Sequence, residues 1–497
     1  MQHSPTIAAV DLGSNSFRLQ VCRVVDEQVY AVDSLREPVR LAAGLQPSGE
    51  LDEAAQERAV AALKQFAQRL QGFAPGAVRA VGTNTLRAAR NAAQVLPRFE
   101  AALGFPIEIV AGREEARLIY VGVAHGLAPS KENRLVVDIG GGSTEFIIGN
   151  GLTPRQTESL YMGCVSWSLR FFPDQRISKS NMKRAEVAAR IELEAIKKGF
   201  ASKYWSEAIG SSGTASAIAD VLEASGWSAS GIGREGLEKL RSALIDAGNI
   251  SKIELPGLRA DRLPVLPGGV AIMKAVFDEL DVNQMNIASG AMRQGILWDM
   301  IGRRHRKDIR EMTVRQFMKR YHVDTVQAQR VERLAKKLYE QFSPGDYLLY
   351  GTQLLSWAAR LHEIGLSVAH SGFHKHSAYI VANADMPGFS RMEQQHTALL
   401  VRSHRGSLEK LRTRVSSDAD WTLLVALRLA VLMYRSRSDK RLPRISAVKD
   451  GSTYTLDIDR SWFEANPLSA AELRDEITAW RKLGVNIVVP ALENSEE

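Results

Sequence analysis

Hydrophobic positions in the N-terminal part of the chain fall into short strand-like runs separated by longer segments with helical spacing. TIAAVDLG and FRLQVCRVV flank a Gly/Ser/Asn turn and predict two strands. EAAQERAVAALKQFAQRLQGF has apolar residues three and four apart and a glycine near its end, which predicts an amphipathic helix. AVRAVGTNTLR predicts a strand and a turn, NAAQVLPRFEAAL a helix, and IEIVAGREEARLIYVGVAHGL a strand, turn and helix. The theme then repeats. LVVDIGGGSTEFIIGNG predicts strand, glycine turn and strand; KRAEVAARIELEAIKKGF a helix; EAIGSSGTASAIADVLEAS strand, turn and helix. This alternation predicts an α/β architecture.

Two of the strand-to-turn units recur in the same order. VDLGSNS turns after Asp11 and VDIGGGS after Asp138, while VGTNT carries Gly82 and IGSSGT carries Gly210; the two spacings agree to within one residue. One such match would mean little. A matched pair predicts two duplicated lobes facing each other across a cleft. Beyond about Arg304 the texture changes: TVRQFMKRYHVDTVQAQRVERLAKKLYEQF, LLSWAARLHEIGLSV and TLLVALRLAVLMYRSR are helical. The last stretch, from ISAVKDG onward, returns to strand, turn, strand, helix and strand. The expected domains are lobes at 1–126 and 127–303, a helical domain at 304–445 and a small α/β domain at 446–497.

Composition narrows the class. A chain of 497 residues exceeds what one hydrophobic core usually serves, so several domains are expected. With 45% hydrophobic and 24% charged residues, a folded chain is expected rather than a disordered one. No apolar stretch approaches the roughly 20 residues that span a bilayer. MQHSPTIAAVDLG has no basic segment before its short apolar run, unlike a signal peptide. The only cysteines, Cys22 and Cys164, suit a reducing compartment. Together these predict a soluble cytoplasmic protein without a membrane partner. A net charge of +8 permits a polyanionic ligand but does not require one.

The candidate chemistry lies in the glycine turns. Glycine lets backbone approach a ligand closely, and successive amides in such a turn cradle an anion. Gly13, Ser14 and Asn15 in one turn, and Gly140, Gly141, Gly142 and Ser143 in the other, are therefore candidate phosphate ligands. Either loop alone reads better as a tight hairpin; two facing one cleft, with acids alongside, read better as a phosphate grip. No GK[ST] follows Gly141, which excludes a Walker A loop. The strand-like FIIG after it argues against a dinucleotide fingerprint.

Asp11 and Asp138 end strands of buried pattern, where a lone carboxylate is costly. A hard cation such as Mg²⁺ would hold such acids and bridge to phosphate. Glu145 follows the second loop. Glu114 and Glu115 open a helix, so one is expected to serve the helix dipole and the other to reach the cleft. Phosphoanhydride hydrolysis needs a positioned water, a proton acceptor and positive charge on the phosphoryl group. Arg87 and Arg293, beside glycine turns, are candidates for that charge, although each also reads as an ordinary surface arginine.

In this order, DLGSNSFR, GTNTLR, GREEARLIYVGV, DIGGGSTE, MGCVS, GSSGTASA and SGAMRQG resemble the exopolyphosphatase/guanosine pentaphosphate phosphohydrolase (Ppx/GppA) family over essentially the whole chain. The long exopolyphosphatase form is the nearest match. The resemblance implies two duplicated ribonuclease-H-like lobes of the actin-like, sugar-kinase and heat-shock-chaperone superfold, then a mostly helical HD-like domain. It implies Glu115 as catalytic base and Asp138 and Glu145 as metal- and water-handling acids; Asp11, from its own buried strand end, is expected beside them as a metal ligand. Gly140 to Ser143 become the phosphate loop, Ser14 and Asn15 its counterpart, and Arg87 a phosphate-side arginine.

Mg²⁺ is the expected cofactor, and a monovalent cation is admitted beside it; a homodimer is the implied assembly. The expected reaction releases orthophosphate processively from the ends of inorganic polyphosphate. Guanosine pentaphosphate, converted to the tetraphosphate, is the nearest alternative substrate. An ATP-dependent kinase or chaperone of the same superfold and a non-catalytic phosphate or alarmone sensor are the alternatives of other classes.

In the helical half, LHEIG places Glu363 beside His362 where an HD site has its Asp. His322, His370, His374, His376, His396 and His404 share this half, so a second metal site is one reading. A structural relic without turnover is the stronger one, because the HD aspartate is replaced. Basic residues crowd late in the chain. Arg402, Arg405, Arg412, Arg414, Arg435, Arg437, Lys440 and Arg441 are expected to form a polyanion channel that raises local substrate concentration. Aromatic residues are not interleaved with them, which weakens a single-stranded nucleic-acid reading.

Overall fold

Strands form where the aliphatic runs predict them. The computed structural model describes residues 6–25, 28–128, 130–304, 308–343, 348–408, 411, 415, 418–437 and 442–493. The chain divides into two compact units, 1–309 and 310–497.

In the first unit, β1 (Thr6–Leu12), β2 (Phe17–Val25), β3 (Gln28–Glu37), β4 (Val78–Gly82) and β5 (Ile107–Ile109) form a sheet of order β3-β2-β1-β4-β5. The first three strands are antiparallel neighbours, and β4 and β5 continue parallel to β1. A second sheet holds β6 (Asn133–Ile139), β7 (Thr144–Asn150), β8 (Thr153–Leu160), β9 (Glu207–Ser211), β10 (Ile232–Gly233) and β11 (Gln284–Ile287), in the order β10-β11-β9-β6-β7-β8. Apart from the short edge strand β10, it repeats the first sheet strand for strand and sense for sense. The duplicated two-lobe α/β architecture expected from the repeat is therefore the one the chain adopts.

The register shows where the copies diverge. Asp11 of β1 faces Arg18 of β2, and Asp138 of β6 faces Glu145 of β7. One lobe thus carries an arginine where the other carries a glutamate.

Central strand β1 is buried on both faces, so its apolar residues run continuously rather than alternating with polar ones. Ala8, Val10 and Leu12 pack with Phe66 and Phe99; Ile7 and Ala9 pack with Leu118 and Val123. The latter core also takes Val136 and Ile147 of the second lobe. The helix Gly112–His125 is thus wedged in the core shared by the two lobes, so the position of its first turn is fixed from both sides. Gly122 and Gly295 let it meet the helix Met292–Arg304 backbone to backbone, since a Cβ at either would collide with the other helix.

The second unit is mainly helical, with a sheet of β12 (Ser446–Asp450), β13 (Thr453–Asp457) and β14 (Asn486–Val488). Asp324 caps the helix Thr325–Phe342, and Ser390 with Glu393 forms a capping box on Arg391–Ser403. Trp357, Leu424 and Leu427 of the helices share one core with Tyr454, Trp480 and Ile487. Residues 446–493 thus share the helical core rather than enclosing one of their own. Among the described residues no helix is long and apolar enough to cross a membrane.

Candidate active site

The two glycine turns meet. A Cβ on Gly141 would lie 3.0 Å from the Ser14 Cβ and 3.2 Å from the Asn15 nitrogen, so loop 13–16 and loop 140–143 approach as closely as backbone allows. Each loop is held from behind through its carbonyls. Ala42 N–H donates to Ser14 O at 2.9 Å and Arg40 N–H to Asn15 O at 2.8 Å. Cys164 and Val165 N–H donate to Gly140 O and Gly141 O at 2.9 and 3.0 Å. Gly163 precedes those donors, and a Cβ there would strike the backbone of Gly141 and Gly142. Gly163→Ala is therefore expected to displace the loop and lower kcat/KM by about 10²-fold. Steady-state kinetics with far-UV circular dichroism as the fold control checks this.

Between the loops lies a cavity of about 320 Å³. Its wall includes Asp11, Asp138 and Glu115, the loop residues Gly13 to Ser16, Gly140, Gly141 and Ser143, and the arginines Arg18, Arg259, Arg262 and Arg293. Ser212, Gly213 and Thr214, at the N-terminus of the helix Ser212–Ala224, complete it, a place where free amides favour anions. Ser212 holds φ at 92°, an unusual backbone state for a non-glycine residue.

Glu115 sits in the first turn of Gly112–His125, on the cavity wall and only 8% exposed. Arg87 donates to it at 3.1 Å and to Val110 O at 2.8 Å. The neighbouring Glu114 instead pairs with Arg117 through two bonds of 2.7 and 2.8 Å. The two acids therefore divide into one on the cleft wall and one, still in the helix's first turn, that pairs with an arginine.

Burial dominates the electrostatics. It pushes Glu115 up to about 7 against the pull of Arg87. It pushes Asp11 up to about 6 against Arg293 and Arg18, and Asp138 to about 6 against a bond from Ser211. Glu145 is held well above the carboxylate range by burial and by the charges of Glu115 and Asp138. Burial and neighbouring Arg293 lower Arg18 to about 10. Burial thus outweighs the pull of the arginines on these acids, the pattern expected where a polyanion and its counter-cation bind.

Mg²⁺ usually takes one or two protein carboxylates and completes its shell with water and phosphate oxygens. Asp11 and Asp138, both on the wall and both costly to ionise unaided, fit that role. Among the described residues no three His, Cys, Asp or Glu side chains form an all-protein cage. Glu145, expected as a third ligand, is not on the wall; it is 1% exposed and accepts a bond from Ser159 at 2.8 Å.

Arg87, expected beside phosphate, is likewise off the wall and serves Glu115; Gly142 backs against Asn84. Arg18, Arg259 and Arg262 were not singled out from sequence. Arg18 was discoverable from the hairpin register, which sets it opposite Asp11. Arg259 and Arg262 lie in a connection without periodicity, and no sequence signal marks them. In the second unit, Arg435 pairs with Glu472 at 2.5 Å and Arg437 with Glu363. Arg402 and Arg405 have no carboxylate partner among the described residues. Arg412, Arg414, Lys440 and Arg441 lie outside the described residues.

Residues 20–304 match the sequence profile of the Ppx/GppA phosphatase family, and residues 309–477 that of Ppx/GppA phosphatase, domain III. A Vibrio vulnificus protein named guanosine-5'-triphosphate,3'-diphosphate pyrophosphatase is 38% identical over 493 residues, covering 98% of each chain. Its Vibrio parahaemolyticus namesake is 37% identical over 492 residues, 98% of this chain and 99% of that one. Among solved structures, an exopolyphosphatase from Cytophaga hutchinsonii aligns over 60% of this chain and 97% of its own, with TM-score 0.55 and 23% identity.

Proposed function

Because this chain belongs to the Ppx/GppA phosphatase family, we propose that it hydrolyses the terminal 5'-phosphate of guanosine 5'-triphosphate 3'-diphosphate, releasing orthophosphate. The observation that carries the chemistry is the cavity whose wall two glycine loops and four arginines share with Glu115. The choice of substrate rests on the relatives that share nearly the whole length of the chain. It reverses the order expected from sequence, which put inorganic polyphosphate first. The catalytic motifs serve either phosphoanhydride, so they do not separate the two, and the exopolyphosphatase likeness at 23% identity speaks to the fold alone.

In this reading the amides of loops 13–16 and 140–143 grip the terminal phosphate. Arg18, Arg259, Arg262 and Arg293 neutralise the remaining phosphates, and the helix N-terminus at Ser212 adds amide donors. Mg²⁺ held by Asp11 and Asp138 would supply positive charge to the phosphoryl oxygens. Glu115 accepts the proton of an attacking water, whose oxygen bonds to phosphorus as the anhydride bond breaks and guanosine 5'-diphosphate 3'-diphosphate leaves with its charge. Arg87 keeps Glu115 oriented.

The raised carboxylates give a stability signature. A carboxyl whose folded pKa lies above its unfolded value contributes stability at low pH, and that contribution is lost as pH rises through the folded pKa. For Asp11 and Asp138 the loss falls between the ordinary carboxylate range and about pH 6. Mg²⁺ should therefore raise the melting temperature at pH 8 and have little effect at pH 5. Differential scanning fluorimetry reads this, and Asp138→Asn should reduce the Mg²⁺ response.

The substrate is tested by phosphate release from the guanosine nucleotide and from long-chain polyphosphate under the same Mg²⁺ conditions. A kcat/KM for the nucleotide at least tenfold above that per polyphosphate chain end is expected. A preference for polyphosphate would return the assignment to exopolyphosphatase.

A further inference from the structure

The second unit encloses a cavity of about 550 Å³ that the proposed reaction leaves unused. That volume lies within the roughly 300–1,000 Å³ of small-molecule sites. Phe373, Val431 and Leu432 form an apolar wall; His362, His404 and Arg405 bring polar groups to it. Nδ1 of His362 lies 2.6 Å from Ala359 O, and Nδ1 of His404 lies 2.6 Å from Val401 O. A carbonyl only accepts, so both rings carry their proton on Nδ1 and present Nε2 as a lone pair. Nε2 of His404 is buried and has no hydrogen-bond partner among the described residues, an arrangement that costs free energy unless a ligand supplies a donor.

A metal ion would satisfy that lone pair, but the surroundings are wrong for one. Glu363 is engaged by Arg437, and Glu476 by Arg428 through bonds of 2.5 and 2.8 Å. No metal-holding group of three occurs among the described residues. Arg405, stacked 4.9 Å over the Phe373 ring, has no carboxylate partner among the described residues, so the cavity has a cation to spare. The ligand must then be anionic and must carry a proton it can donate. A phosphate group with one O–H meets both demands.

We propose that this cavity binds the phosphate end of a small phosphorylated molecule, with Arg405 taking the charge and the phosphate O–H donating to Nε2 of His404. This is a second anion site, built from residues of the C-terminal unit alone, and it makes use of the histidine segment that an HD hydrolase would devote to metal.

Histidine ring resonances of the full-length protein test it, because the chain has ten histidines and none of those among the described residues lines the first cavity. Inorganic pyrophosphate is titrated at constant ionic strength. Saturable shifts of His404 and His362 are expected. The exposed Arg405→Ala variant should raise the half-saturation point at least tenfold, and His404→Phe, which keeps an aromatic ring without the lone pair, should do the same for His362. An unchanged half-saturation point in Arg405→Ala, or no response to pyrophosphate alongside a saturable response to Zn²⁺, would overturn the proposal.

Discussion

Glu115→Gln should lower kcat by about 10²- to 10⁴-fold, the usual contribution of a positioned general base, while the nucleotide still binds. The amide keeps the shape of the side chain and still accepts the Arg87 bond. It also removes a negative charge from a site that takes a polyanion, so affinity should not suffer. Parallel losses in kcat and kcat/KM would mark an interaction made in the transition state alone. The pH profile gives a second readout. Burial pushes Glu115 up to about 7, so the wild-type rate should fall as pH drops through that value and the base becomes protonated. In Glu115→Gln that limb should disappear from the residual activity. Calorimetric titration of the nucleotide into the variant, beside a phosphate-release assay, separates binding from turnover.

The largest stability effect is expected at a residue remote from the reaction. Asp299 accepts from Arg79 at 2.7 Å, from Arg117 at 2.6 Å and from Arg303 at 3.0 Å. Arg79, Arg117 and Asp299 side chains are all less than a tenth exposed. Burial alone would raise the Asp299 pKa; the three arginines together outweigh it and hold the group far below the carboxylate range. Asp299→Ala strips one carboxylate from two buried guanidinium groups; breaking such a pair costs up to about 3–5 kcal/mol, the upper end being reduced here because Arg117 keeps Glu114 and Arg79 keeps Glu108. It also unties the helix Met292–Arg304 from β4 and from the helix that carries Glu115. Urea unfolding of wild type and variant measures the loss. The surviving fold should show reduced turnover as well, because Glu115 is placed by that helix. A change below about 0.5 kcal/mol, typical of surface substitutions, would show that the network carries no net stability.

The fold and the site differ in how much of each the sequence carries. Strand runs and glycine turns are local signals, and the near-equal spacing of Asp11 to Asp138 and Gly82 to Gly210 announces the duplication that the two sheets display. Glu115 and the two loops are legible for the same reason, since each lies within a few residues of a turn. Arg18 becomes visible only once the β1–β2 register is known. Arg87 is legible as a residue but not as a partner: nothing near it in the chain says that it faces Glu115, 28 residues on. The Arg117–Asp299 bond spans 182 residues and depends on two helices meeting at Gly122 and Gly295, which no local pattern encodes. Glu145 is a case of partial legibility. Its place after the second loop suggests a ligand, and the register does set it opposite Asp138, but its bond from Ser159, 14 residues on, has no local signal.

Solvent labelling reaches the heart of the account. A single turnover of the guanosine nucleotide is run in oxygen-18 water, and both products are analysed by mass spectrometry. If a water activated at Glu115 attacks the outermost phosphorus, the label must appear in orthophosphate and be absent from the guanosine product. Label retained on the nucleotide, or pyrophosphate leaving in place of orthophosphate, would contradict it.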